Sequence, residues 1–254
     1  MSAPQQPEQQ PEQQLEQQLE QQPEQQTWRA LVVAKAPVAG RVKTRLGATV
    51  GDDVAAEVAA AALLDTLSAC AEAVGSQRCH LSLAGDLAEA VSADDLLAAT
   101  AGWQVHPQVG DGFDERLARA HADVAGSGPG GVVQVGMDTP QVTPALLAQV
   151  AAGLDEHDAV LAPAEDGGWW ALALRDPRAA SVLAGVPMST PTTGEDTRAA
   201  LVAAGLDVAT GPSLRDVDEL ADADAVAAQL REAGAGSRFA ILWDGLRTSG
   251  EAVR

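Results

Sequence analysis

From residue 28 onward, short β-rich apolar runs alternate with helical stretches, and this alternation leaves few folds open to the chain. The runs "WRALVVAK" (28–35), "RCHLSLAG" (78–85), "WQVHPQV" (103–109), "VVQVGMD" (132–138), "DAVLAPA" (158–164), "WWALALR" (169–175) and "LDVAT" (206–210) read as strands. Between them, 51–74, 87–100, 113–125, 143–154, 178–184, 194–204 and 217–234 read as helical, with 87–100 divisible into two pieces. Asp52 and Asp53 favour a helix start and Gly75 a stop, while Thr143 and Pro144 suit an N-cap and a first helical position. Strands alternating with helices form a mostly parallel sheet with helices on both faces, an α/β fold. Ligands of such sheets bind beyond the carboxyl ends of the strands.

The segment ahead of the first strand is of another kind. Residues 1–26 hold five tetrapeptide repeats of the form (P/L)EQQ. They have almost nothing apolar to bury and are expected to form a disordered tail. They show neither the basic and apolar regions of a secretory signal nor the arginines of a transit peptide. About 228 residues remain, enough for one large domain, expected over 27–235. Residues 236–254 form a C-terminal extension, open between an extra strand and a packing arm. The net charge is −20, of which the five glutamates of the tail supply −5. That balance argues against general nucleic-acid binding, which needs a basic face. No uninterrupted run of 18 apolar residues suggests a membrane span. Cys70 and Cys79 read as buried small hydrophobes rather than a zinc or disulfide framework, and the expected compartment is the cytoplasm.

Against this acidic background the chain has two lysines, Lys35 and Lys43, both in "KAPVAGRVKTRL" (35–46) with Arg41 and Arg45. A loop after a buried strand that holds Pro37, Gly40 and four cations suits a diphosphate. Glycine admits close backbone approach, and the cations neutralise phosphate charge. A P-loop is excluded because Val42, not Gly, precedes Lys43. A Rossmann fingerprint is excluded because the only Gly-rich run, 126–131, precedes a strand instead of following one.

Three acidic motifs follow later strands. "VGMDTP" places Asp138 just past a strand, where it could hold a divalent cation or serve as a turn residue. "PAEDGGWW" offers Asp166 at a tight turn made by Gly167 and Gly168, followed by Trp169 and Trp170, of which strand alternation puts one inward and one outward. "RDVDEL" offers Asp216 and Asp218 ahead of the last helix, as a metal carboxylate, an N-cap or both. An EF-hand is ruled out there, since Ala221 and Ala227 replace the required Gly and Glu. "GDGFDERLARA", with Asp111, has loop-to-helix character and could close a cleft. His80, His106, His121 and His157 show no metal spacing and read as structural or surface residues.

Taken in order, "KAPVAGRVKTRL", "GDGFDERL", "GMDTP", "PAEDGGWWALAL" and "DVDE" resemble a bacterial family of GT-A-fold transferases, the arsenosugar-biosynthesis-type or selenodomain-associated glycosyltransferases. The resemblance runs over about residues 29–231. It implies a single GT-A-like, nucleotide-diphospho-sugar transferase domain. Lys35, Pro37, Gly40, Arg41, Lys43 and Arg45 match the nucleotide loop, and Asp138, with Asp216 and Asp218, matches the carboxylates for Mg²⁺ or Mn²⁺. Asp166, in the family's DGG motif, and Lys43 are the implied catalytic residues, with Gly167, Gly168, Trp169 and Asp111 around the substrate. Where relatives usually carry tyrosines after DGG, this chain has Trp169 and Trp170, which removes hydroxyl donors.

The implied partner is a nucleotide sugar or nucleotide, with transfer of the sugar to an acceptor. Two alternatives remain open at this point. One is nucleotidyl transfer, as in the phospholactate guanylyltransferases, marked by pyrophosphate release. The other is a non-catalytic nucleotide-binding regulator that uses the Gln-rich tail as its arm.

Overall fold

The computed structural model describes residues 28–250; the expected tail, 1–26, and residues 251–254 lie outside them. All seven expected strands form: β1 (Arg29–Lys35), β2 (Cys79–Ala84), β3 (Gln104–Pro107), β4 (Val132–Val135), β5 (Ala159–Pro163), β6 (Trp169–Leu174) and β7 (Val208–Thr210). They make one sheet in the order β3-β2-β1-β4-β6-β5-β7. β1, β2, β3 and β4 run parallel, as do β5 and β7, and β6 is antiparallel to both neighbours. From β1 the chain builds outward to β2 and β3, then returns to place β4 on the other side of β1. The crevice at this reversal of direction is where open α/β sheets bind ligands.

β1 is a near-continuous apolar run because both faces are covered. Ala30, Val32 and Ala34 pack into one core, with residues of α2 (Asp52–Val74), α3 (Ala93–Ala99) and α5 (Pro144–Ala152). Leu31 and Val33 pack into the opposite core, with α4 (Phe113–Gly126), the 3₁₀ turns Pro177–Leu183 and α6 (Thr193–Ala203). Helix α2 is long and apolar enough to cross a membrane by composition, but 72% of its most apolar stretch is buried inside the fold. Its alanines let it approach neighbours on several sides, and Gly75 ends it with an N–H bonded to the Ala71 carbonyl.

Two elements were not foreseen. The basic loop does not stay a loop: it turns at Lys43 into a short helix, α1 (Thr44–Val50). The C-terminal extension forms no extra strand; it packs as a helix, α8 (Arg238–Ser249), on α2 and on α7 (Leu220–Glu232). Phe239 and Trp243 are buried there. Asp65 on α2 fixes its start by accepting from the Ser237 hydroxyl and the N–H groups of Arg238 and Phe239 at 2.7–3.0 Å.

Cys70 and Cys79 are free and buried, as expected. His121, on the inner face of α4, is fully buried, with Nε2 2.7 Å from the Gln134 side-chain oxygen. Burial outweighs that hydrogen bond and pushes the imidazole pKa down to about 4. The unfolded chain takes up this proton near pH 6.5 and the folded protein only near 4, so stability should be lost as pH falls through that window. The melting temperature is therefore expected to drop from pH 7 to 4.5. The drop should be shallower in the double variant His121→Phe/Gln134→Leu, whose apolar pair does not titrate; equal slopes would contradict it.

Candidate active site

At the carboxyl ends of β1 and β4, two adjoining lobes form one cleft. The first, about 530 Å³, is lined by Lys35, Arg41, Lys43 and Arg45, by Arg116 and Phe113 from α4, and by Gln108 after β3. The second, about 390 Å³, is lined by Asp166, Gly168, Trp169, Asp216, Gln134 and the 188–193 segment. Asp138, Asp218 and Arg45 border both. Residues separated by more than 170 positions thus meet where the lobes join.

The meeting point is built around Lys43. Its backbone is left-handed, φ 48°, a conformation uncommon for a non-glycine residue. That turn sends the side chain inward, where it is only 4% exposed. The ammonium donates to Asp138 Oδ1, to the Val217 carbonyl and to Asp218 Oδ1, the last at 3.2 Å. Burial disfavours the charged form, but the two carboxylates outweigh it and raise the Lys43 pKa. Arg45 reaches the other oxygen of Asp218 at 3.2 Å. The 212–218 segment is stitched in place by Val217 N–H to the Asp138 carbonyl, 2.9 Å, and by the Gln141 amide to the Arg215 carbonyl.

Asp216 points into the second lobe. Burial, then the nearby Asp166 and Asp218, raise its pKa to about 6. Asp166 is exposed, and one of its oxygens accepts the Gly168 N–H at 2.7 Å, bracing its own turn. Gly167 holds φ 92°, and a Cβ there would lie 2.0 Å from the Pro191 carbonyl oxygen. The glycine therefore lets the 187–194 segment close over the turn, sealed by Gly194 N–H to the Gly167 carbonyl at 2.9 Å.

Other expected site residues land differently. Pro37 and Gly40 shape the basic loop without lining either lobe; the Pro37 carbonyl accepts the Val91 N–H. Arg41 lines the first lobe and pairs at 3.7 Å with exposed Glu89. Asp111 lines neither lobe, and its N–H bonds Glu115; its motif contributes Phe113 and Arg116 instead. Trp169 and Trp170 do face opposite cores, but the expected outward tryptophan does not exist because both faces are covered. Trp169 Nε1 donates to Thr197 and Trp170 Nε1 to the Pro212 carbonyl. None of the four histidines lines either lobe.

A divalent cation fits the donor chemistry. Asp138 and Asp218 already share one cationic group, the Lys43 ammonium, and their side chains are 45% and 37% exposed toward the cleft. Among the described residues no three acidic, His or Cys side chains close into a preformed cage. An open pair of carboxylates suits Mg²⁺, which keeps waters and substrate phosphates among its ligands.

Lys43→Met keeps the stem and removes the charge. It should lower unfolding stability by about 2 kcal/mol, less than a fully buried pair because both acids are well exposed. Urea unfolding checks this, and an unchanged midpoint would show that the ion cluster does not hold the loops.

Comparison with known proteins places this geometry. Residues 66–190 match the family "Uncharacterized protein conserved in bacteria (DUF2064)". The match is narrower than the motif resemblance and leaves out the basic loop and the late Asp pair. No curated protein matches the chain. The crystal structure of the "putative nucleotide-diphospho-sugar transferase" from Desulfovibrio desulfuricans G20 superposes with a TM-score of 0.77 at 25% identity, over 87% of this chain and 96% of that one. A cytidylyltransferase from Leptospira borgpetersenii serovar Hardjo-bovis shares the fold, with a TM-score of 0.51 at 11% identity, over 89% and 96% of the two chains. Residues 66–190, which carry Asp138 and the Asp166–Trp169 turn, are thus similar to the DUF2064 family of bacterial proteins.

Proposed function

We propose that the chain is a divalent-metal-dependent transferase that takes a nucleotide-diphospho-sugar donor, with residues 27–235 as its transferase domain and 236–254 as an extension. The observation that carries this reading is the shared Lys43–Asp138–Asp218 cluster at the junction of a basic lobe and a lobe that holds Asp166, Asp216 and Trp169. A donor with its diphosphate at the junction would place the nucleoside in the first lobe and the sugar in the second. The likeness to the Desulfovibrio protein supports the same donor class.

Lys35, which is exposed and has no ion-pair partner among the described residues, and Arg45 and Arg116 are placed to receive phosphate oxygens. Asp138 and Asp218, with Asp216 beside them, would hold Mg²⁺ or Mn²⁺, which neutralises charge on a leaving diphosphate. Lys43 keeps those carboxylates oriented and, once phosphate or metal enters, is free to turn its charge toward the leaving group. Asp166, with one oxygen bound to Gly168 N–H, keeps the other to orient the sugar or accept a proton from the acceptor. Trp169 walls the sugar lobe, and Gly167 and Gly168 set the height of its rim.

Turnover assays with a panel of nucleotide sugars and Mn²⁺ test the reading. Release of nucleoside diphosphate is expected, and Asp138→Ala and Lys43→Ala should each lower kcat/KM by about 100-fold or more. Full activity in Asp138→Ala would remove the metal assignment. Pyrophosphate release from a nucleoside triphosphate would mark nucleotidyl transfer instead.

A further inference from the structure

Gln108 follows β3 and lines the basic lobe beside Val33, Ala34, Val42, Met137 and Phe113. Its amide nitrogen spends both protons on backbone, donating to the Ala34 carbonyl at 3.0 Å and to the Ser82 carbonyl at 3.1 Å. These two carbonyls lie near the ends of β1 and β2, so the side chain is anchored to the sheet itself. The bonds also fix which way the amide points, because a flipped amide would set its oxygen against two carbonyl oxygens. What remains is the Gln108 Oε1, an acceptor that has no partner among the described residues and is not sealed from the lobe.

A lone acceptor in a basic lobe cannot be meant for phosphate, which brings only acceptors of its own at neutral pH. The nearby side chains Val33, Val42, Met137 and Phe113 are apolar, and Phe113 is 44% exposed. Apolar walls, an open aromatic face and one fixed acceptor suit the flat edge of a nucleobase. The amide offers no donor beside that oxygen, so it complements an edge with an N–H at its centre. Uracil and thymine present N3–H there, and guanine presents N1–H. Cytosine and adenine put a ring acceptor at that point and could meet the oxygen only through the exocyclic amine, off the centre of the edge.

We propose that Gln108 is the base-reading residue of the cleft and selects donors whose base carries a ring N–H, that is uridine, thymidine or guanosine diphosphates. The proposal rests on the nucleotide-sugar reading and adds the class of base.

The first arm of the test uses the wild-type protein, so that folding of a variant does not enter there. Titration calorimetry with Mn²⁺ compares UDP, dTDP, GDP, CDP and ADP, then N3-methyl-UDP and N1-methyl-GDP. The tightest ligand is expected among the first three, and methylating its ring N–H should weaken binding roughly tenfold, the scale of one buried hydrogen bond with its partner left unpaired. In Gln108→Met the methylation penalty should shrink to under about twofold, whatever the variant's overall affinity. Tightest binding of CDP or ADP, or a methylated base that binds as well as its parent, overturns the proposal and leaves the transferase reading standing. Binding of none of the diphosphates overturns both.

Discussion

A buried ammonium shared between two carboxylates holds this cleft together. Lys43 comes from the loop after β1, Asp138 from the loop after β4, and Val217 and Asp218 from the segment ahead of α7. The three arrive from distant parts of the chain. Taking a charge out of water is costly, and only good pairing offsets it. Here the ammonium finds two carboxylates and a carbonyl, enough to occupy all three of its protons. The left-handed backbone at Lys43 is the local strain accepted for that placement. The same contacts mean that Lys43 is not a spare phosphate ligand in this state. Its charge is committed to the acids, and a phosphate or a metal ion must renegotiate it.

The sheet explains why the cluster sits where it does. β1 and β4 are neighbours at the point where the strand order reverses, so the loops after them diverge and leave a crevice. Helix α4 covers one side of that crevice, and Phe113, Leu117 and His121 line one stripe of it, four residues apart. Phe113 and Leu117 reach the cleft, while His121 stays beneath it against Gln134. The antiparallel β5–β6 pair then carries Asp166 up to the opposite rim. The result is an uneven spread of charge: Lys35, Arg41 and Arg116 line one lobe only, Asp166 and Asp216 the other only, and Arg45, Asp138 and Asp218 stand between them. In a chain of net charge −20, both lysines, Arg41, Arg45 and Arg116 are gathered around this cleft.

Much of this was legible in the sequence because periodicity and punctuation are local. Each strand run was marked by its apolar residues, and the loops that carry chemistry followed strands, as the fold requires. Lys35, Lys43, Arg45, Asp138, Asp166, Asp216 and Asp218 were all marked in advance, and the structure brings them to one cleft. What the sequence could not show was pairing. Nothing local says that Lys43 turns inward, since its left-handed backbone depends on partners some 95 and 175 residues away. Gln108 and Arg116 were missed for a related reason: a glutamine after a strand and an arginine on a helix are ordinary until the fold aims them at the same lobe. The i, i+3 spacing of Phe113 and Arg116 was an available signal that both lie on one face of α4. Helix α8 was missed because its stability comes from Phe239 and Trp243 packed on α2 and α7, and from Asp65, rather than from its own pattern.

The central claim is that this cluster is the seat of a metal-bound nucleoside diphosphate. A thermal-shift panel of the purified protein with UDP-, GDP-, ADP- and dTDP-sugars, each with and without Mn²⁺, tests it most directly. A ligand that binds the folded protein raises its melting temperature by mass action. The account predicts a rise with at least one nucleotide sugar that grows when Mn²⁺ is present. A melting temperature unmoved by every nucleotide sugar, with or without Mn²⁺, would contradict it.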